Sequence, residues 1–525
     1  MEQGEIPQLT VSNIENIDLT TQYIREHIDK TLIIFCNPIS GNQEGKIILD
    51  ITNHYLTKEK YKIIDFQYLV TLKKYEPIKA VFFNLINKED NAKGQLLLKH
   101  CSERCKLNKQ SGLPENFQKI KTLIAGGDGT VLSMIESFIK NGTDINYCTF
   151  GHIPLGTGND LSNSLGFSDH VDISYNNVDE LYQILYQYYI AHFGKVDIWK
   201  MDLQLDPIDG EVLVNTKNGK VPLKDDDGNI IKRYKRTFIN YVSLGYDARV
   251  GYNFDSKRTS SRNRNKCVYF IEGLKKICCQ KTVSVQKFID TFTVYDNSDS
   301  SENQDSFFSD GVSSNNEQDN NNEINTTTTK NLNNLAISNN YLNANENHKV
   351  KFKVISMKTF ANNENNHNHK CLVLEGKPCS IIFQNIVNYM SGVKDMWAKG
   401  EERLTIGLKN GTNEENLKYN EKLKKMVNSI QKLDDKMIEV FTFDNGLETG
   451  LEKVYRGLAK KIYHGKGPME VKFVETPKYI KEDKKHRVYL NLDGEYFHIV
   501  KPILLRIELN REICEGQLPF LVSNM

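Results

Sequence analysis

Three short stretches combine glycines with hydroxyl, amide and carboxylate side chains in a pattern that could hold a polyphosphate. In LIAGGDGTVLSMI (123–135), Gly126, Gly127, Gly129 and Thr130 stand where an apolar run gives way to a helical one. The start of a helix offers unpaired backbone N–H groups to an anion, and glycine lets the anion come close. Asp128, among these glycines, carries the wrong charge for such a ligand. A divalent cation removes the conflict, because Mg2+ takes one or two carboxylates together with phosphate oxygens. The stretch therefore reads as a site for a Mg-nucleotide, with Asp128 on the metal. The competing reading is a turn in which a solvated Asp128 caps the helix.

The second stretch is FCNPISGN (35–42), where Pro38 stiffens a turn, Asn37 and Ser40 offer side-chain hydrogen bonds, and Gly41 permits close backbone approach. The third, IPLGTGNDLSNSLGF (153–167), places Gly156, Thr157, Gly158, Asn159 and Asp160 in a row. Taken singly, each fits an ordinary strand-to-helix turn or an N-cap. Taken together, they point to one nucleotide site. Other phosphate motifs do not fit. GNQEGKI (41–47) is one residue short of a Walker A loop, with Ile47 where Ser or Thr is needed. The protein-kinase signatures H-R-D and D-F-G are missing. GTGNDL lacks the third glycine of the dinucleotide fingerprint.

The elements that must position these loops alternate. TLIIFCN (31–37), KTLIAGG (121–127) and CTFGHIPLG (148–156) read as buried strands, while VLSMIESFIK (131–140) and DELYQILYQYYIAHF (179–193) read as amphipathic helices. This predicts a three-layer α/β nucleotide-binding domain with a parallel sheet over 29–195, behind a polar tail at 1–28. The three loops could then all lie at the carboxyl ends of strands. Beyond about residue 195 the period becomes two: KMDLQL (200–205), VKFKV (350–354), MEVKF (469–473) and RVYLNL (487–492) alternate. A mostly antiparallel β domain is expected over 196–510, interrupted by a helix at VYRGLAKKIYHG (454–465), with 511–525 as a tail. Residues 206–236 read as a polar insertion ending in the basic run KRYKR. The Asn-, Ser- and Thr-rich segment 296–349 cannot offset its chain entropy and reads as a disordered insertion.

At 525 residues the chain is too long for one core. A formal net charge of +1 gives no support to a nucleic-acid partner. The ten cysteines are scattered without metal-ligand spacing, which suits reduced thiols in a cytoplasmic protein. There is no apolar run long enough to span a bilayer, no EF-hand loop, and no secretory or lipidation signal at the ends.

NPISG, GGDGTV and PLGTGNDL, in this order, resemble the catalytic domain of the diacylglycerol kinase family. NYVSLGYDARVGYNFDSKR (240–258), SRNRNKCVYFIEG (261–273), DDKMIEVFTF (434–443) and LNLDGEYFHI (490–499) resemble the accessory region of its eukaryotic type. The likeness runs from about residue 30 to 510, insertions aside. It implies transfer of the γ-phosphate of ATP, with Mg2+, to the hydroxyl of diacylglycerol in a membrane, giving phosphatidic acid. It implies further that Asp128 and its glycines, with Asn37, Ser40, Gly41 and the 156–160 loop, hold Mg-ATP. Asp493 is then the base that takes the lipid hydroxyl proton, with Glu495 beside it; the same residues also suit a β-hairpin with an Asp-Gly turn. By the same likeness Asp434 and Asp435 could hold a structural cation, or form a solvated turn. Sphingoid and ceramide kinases share the nucleotide loop, and an inactive lipid-binding scaffold would share the fold; these are the alternatives. Asn163 stands where the family commonly has a basic residue, and 388–397 match it loosely. The zinc-binding C1 modules of many relatives are missing, so reversible, peripheral membrane contact would fall to basic patches at 232–236 and 257–266. The strand PILLRIEL (502–509) is expected to pair back toward the first domain.

Overall fold

The computed structural model describes residues 24–523 apart from 57–62, 67–77, 217–218, 280–282, 296–348, 354–370, 375–377, 400–405, 409–420, 476–487 and gaps of one or two residues elsewhere. The proposed disordered insertion thus lies outside the described residues, save Lys349, which opens a strand.

The first sheet has the order β2 (Ile63–Asp65), β3 (Lys79–Asn84), β1 (Thr31–Cys36), β4 (Ile120–Gly126), β5 (Cys148–Pro154), β23 (Gln517–Val522), β6 (His192–Asp197). Its five central strands run parallel and its two edges antiparallel. β1 is buried at every position, as its unbroken TLIIFC predicts for a strand covered on both faces. Neighbouring residues of a strand point to opposite faces. The helix Lys88–Gln110 lays Gly94 against Phe83 and Phe35, so closely that a Cβ there would fall 2.6 Å from the Phe83 ring. The helix Glu44–Leu56 lies on the Phe82 side. Helices therefore cover both faces, giving three layers.

The second domain is a sandwich of two sheets. One has the order β10 (Arg233–Phe238), β7 (Trp199–Leu205), β22 (Pro502–Leu509), β19 (Met469–Phe473), β12 (Ile289–Tyr295), β13 (Lys349–Lys353), β14 (Cys371–Leu374), β16 (Ile406–Leu408). The other has the order β18 (Lys460–Gly465), β17 (Ile438–Phe443), β15 (Ser380–Gln384), β11 (Tyr241–Gly245), β20 (Val488–Leu492), β21 (Glu495–Val500), β8 (Glu211–Thr216), β9 (Gly219–Pro222). Among the described strands of this domain only β13 and β14 pair in parallel. The sheets share one core, in which Phe292 and Phe383 meet edge-on at 5.7 Å.

Five sequence expectations need correction. The end of the chain is no tail, because β23 inserts between β5 and β6 with Leu518, Phe520 and Leu521 fully buried. The chain does return to the first domain, but through β23; β22 stays in the second, paired with β7 and β19. No helix spans 454–465: Gly457 takes φ +88, which breaks a helix, and β18 follows. Its Ile462 and Tyr463 are buried on the sheet. The stretch 206–236 is folded into β8, β9 and most of β10 rather than left as an insertion. Finally, the helix expected to 193 stops at Tyr189, and His192 already belongs to β6.

Two chain crossings join the domains side by side. Ile198 donates its N–H to Gly516 (2.9 Å) and accepts from Asn510 (2.8 Å). Asn385, fully buried, donates to the carbonyls of Asp197 (2.7 Å) and Ile239 (2.6 Å) and accepts from the Trp199 indole (2.9 Å). This amide fixes where residues 239–241 sit against the first domain.

Candidate active site

The first domain presents its three loops at the carboxyl ends of β1, β4 and β5. Asn37 donates its N–H to Ala125 (2.9 Å), while its side chain accepts from Ile39 (3.2 Å) in an Asx turn. Gly41 has φ +65 and lies where a Cβ would be 2.6 Å from the Leu155 carbonyl. Ser40 is half-buried beside it. Gly45 is as constrained, since its Cβ would fall 2.0 Å from the Asn37 carbonyl. The sequence reading missed it because it sits inside a helix, four residues past the loop glycine.

The second and third loops touch. Leu155 donates to Gly126 (2.8 Å), and a Cβ on Gly156 would lie 2.8 Å from the Gly127 Cα. Thr130 donates to Gly127 and lays its side chain over Gly126. Asn159, with φ +55, folds back so that its amide accepts from Gly156 N–H (2.8 Å) and donates to Gly156 carbonyl (2.9 Å). It shapes the loop whose tip, Thr157 and Gly158, is half-buried.

Asp128 heads the helix Asp128–Lys140 but caps a different one. Its carboxylate accepts from the N–H groups of Asp160 (3.0 Å) and Leu161 (3.3 Å), at the start of Asp160–Ser164. Burial raises its pKa to about 6, against bonds from those N–H groups and from the Asn240 side chain. His152 lies 3.6 Å away, but burial lowers its pKa to about 4, so this is no ion pair near neutrality.

The second domain meets these loops with residues far off in sequence. Asp160, fully buried, accepts from Gly392 N–H (2.9 Å) and lies 3.5 Å from the Tyr241 hydroxyl. Asp493 stands in the β20–β21 turn, where φ +47 and Gly494 φ +85 make the two-residue Asp-Gly hairpin. Its carboxylate accepts three backbone N–H groups, from Ile239 (2.8 Å), Asn240 (2.9 Å) and Tyr241 (2.9 Å). Burial nevertheless pushes its pKa up to about 7, and the charge on Asp128 adds to the rise. The Asp-Gly hairpin expected from the sequence is therefore present, and its carboxylate is buried. Glu495 is half-exposed, with one oxygen near Gly129 and the other 3.8 Å from Arg236. Sequence reasoning did not find Asn240, Tyr241, Gly392 or Arg236; only the order NYV in 240–242 hinted at the first two.

A donor set of hard oxygens suits Mg2+. Asp128 supplies a carboxylate, and the Asn240 side-chain oxygen is buried without a hydrogen-bond partner. Asp434 and Asp435 behave differently. Asp435 accepts from Met437 N–H (3.0 Å) and the Asp434 backbone accepts from Gln517 (2.7 Å), holding a bend beside Asp197. Among the described residues no group of three His, Cys, Asp or Glu side chains is placed to hold a metal. A cavity of about 520 Å³ opens beside the first loop, lined by Pro38, Lys46, Asp50, Asn84, Asn87 and Lys93 among others; Asp128, Asp160 and Asp493 do not line it.

The basic run 232–236 is largely spent within the fold. Arg233 forks onto Asp202, Lys232 donates to the carbonyls of Ile208 and Gly210, and Tyr234 is buried. Part of the run 257–266 lies outside the described residues; Lys257 binds Glu272 (2.6 Å) and Arg264 is exposed. No described helix is long and apolar enough to cross a membrane.

Residues 31–183 match the diacylglycerol kinase catalytic domain, and residues 237–496 the diacylglycerol kinase accessory domain. Diacylglycerol kinase 7 of Arabidopsis thaliana is 27% identical over 242 residues, which are 43% of this chain and 44% of that protein. Human diacylglycerol kinase iota is 25% identical over 253 residues, 46% of this chain and 18% of that protein. The match thus spans less than half the length of either relative. The crystal structure of a diacylglycerol kinase from Bacillus anthracis superposes with a TM-score of 0.36 at 12% identity, covering 94% of this chain and 97% of that one.

Proposed function

Because the chain belongs to the diacylglycerol kinase family, we propose that it moves the γ-phosphate of ATP to the free hydroxyl of a 1,2-diacylglycerol, giving phosphatidic acid and ADP. One observation carries the reading: the buried carboxylate of Asp493 in the second domain faces the glycine loops of the first through residues 239–241.

In this account the phosphates lie on the open N–H groups at the start of Asp128–Lys140, against Asn37, Ser40, Gly41 and the 156–160 loop. Mg2+, when bound, offsets charge between phosphates and carboxylates, and Asp128 with the Asn240 oxygen would hold it. Asp493 orients the lipid hydroxyl. A carboxylate has about four lone-pair directions, so three N–H bonds leave one for the hydroxyl proton. The hydroxyl oxygen bonds to the γ-phosphorus, the bond from that phosphorus to the bridging oxygen breaks, ADP leaves, and the proton passes to Asp493. A base titrating near 7 suits that late proton transfer.

Contact with the bilayer is assigned to the helix Arg262–Cys279. Exposed Arg264, Cys267, Ile271 and Lys275 recur there at helical spacing, joined by exposed Leu447 on the neighbouring helix.

The test is transfer of label from γ-labelled ATP to diacylglycerol, ceramide or sphingosine in mixed micelles. Labelled phosphatidic acid is expected. Label on a sphingoid product alone would move the substrate class, and Mg-ATP binding without any labelled lipid would leave a scaffold.

A further inference from the structure

The nucleotide reading of the site leaves a charge imbalance. Asp128, Asp160 and Asp493 crowd the junction, with Glu136 and Glu495 beside them, and a triphosphate would add more negative charge. Phosphoryl transfer relies on cations placed where charge develops. Among the described residues, Arg236 in β10 is a cation that the second domain brings to this edge.

Arg236 is held loosely. One terminal nitrogen donates to the Tyr234 hydroxyl (3.1 Å), and the other lies 3.8 Å from Glu495, too far for a hydrogen bond. Its Nε is buried without a partner. Glu136, inside the helix Asp128–Lys140, faces it, and burial leaves that carboxyl raised despite the guanidinium. Glu495 stands between the two: its other oxygen is next to Gly129, in the first turn of the same helix. The guanidinium is thus one carboxylate away from the N–H groups that would take the phosphates.

We propose that Arg236 is the phosphate-contacting cation of the second domain, and that Glu495 holds it at the mouth of the site until nucleotide replaces that carboxylate. A planar fork with a weak present partner and an unused N–H can take two phosphate oxygens, which a lysine cannot match. Glu495 then acts as a counter-ion, and the base remains Asp493. This inference rests on the functional reading above.

The test uses the full-length protein and compares Mg-ATP with AMP, which lacks the β- and γ-phosphates. Arg236→Met should weaken Mg-ATP binding about tenfold, as loss of a charged hydrogen bond does, with AMP binding as in wild type. Its kcat for transfer should fall about 10²-fold, and Arg236→Lys should lie between the two. Glu495→Gln, which removes the competing carboxylate, should lower the KM for ATP. Arg236→Met that binds Mg-ATP as wild type does and merely melts earlier would make Arg236 a structural tie between Glu136 and Glu495, overturning the proposal. Equal losses for ATP and AMP would do the same. Wild-type protein that binds no nucleotide would instead remove the functional reading itself, and this inference with it.

Discussion

At the scale of the residue, Asp493 holds two opposed influences: burial raises its pKa to about 7 while three N–H groups pull it down. Transfer should therefore rise with pH through about 7 and level off above, a profile that rate measurements from about pH 5 to 9 would trace. The same shift bears on stability. A carboxyl whose pKa is raised by folding contributes stability that is complete below its unfolded value of 3.8 and is lost as pH rises through about 7. Asp493→Asn removes that linkage. Relative to wild type, the variant should gain stability between about pH 4.5 and 8, by at most roughly 4 kcal/mol, in paired urea melts. A constant difference across that interval would contradict the assignment. The sequence led to Asp493 through the family likeness and to its turn through Asp-Gly, but not to the donors at 239–241. Those donors lie some 250 positions away, and no local pattern encodes such a meeting.

At the scale of the element, the glycine loops were legible because glycine, proline and hydroxyl residues announce a turn locally. Their contact with one another was not. Gly156→Ala would set a methyl group 2.6 Å from the Asn159 amide oxygen and 2.8 Å from the Gly127 Cα, both of them backbone or held to it. Overpacking of this kind costs about 1–3 kcal/mol. The expected result is a folded protein with nucleotide affinity reduced about tenfold or more, measured by calorimetry; unchanged affinity would free the two loops from each other. The strands β18 and β23 escaped for a different reason. KKIYHG carries enough helix-compatible residues to mask a strand that only its sheet neighbours stabilise, and QLPFLV is short and terminal. Yet Phe520 is fully buried between β5 and β6. Phe520→Ala should cost about 3–5 kcal/mol in denaturant melts, whereas a true tail would tolerate it with no change.

At the scale of the whole molecule, the proposed reaction draws on both domains, and the two crossings at Ile198 and Gly516 set their contact. Composition and period gave two domains and their classes, because alternation of two and a strand–helix alternation are properties of long stretches. The junction is assembled from both and has no period of its own. Access to a lipid is a property of the molecule's outer surface. Ile271→Glu, at a position 47% exposed, should weaken sedimentation with anionic vesicles about tenfold while transfer to a short-chain, soluble diacylglycerol persists. Unaltered vesicle binding would move the membrane face elsewhere. The central claim, that the phosphate moves where Asp493 faces the glycine loops, is tested most directly by single-turnover transfer from γ-labelled ATP in wild type and Asp493→Asn, with Mg-ATP affinity measured on the same preparations. The account predicts affinity within about twofold and a transfer rate lower by about 10²-fold or more. Transfer by Asp493→Asn at the wild-type rate would contradict it.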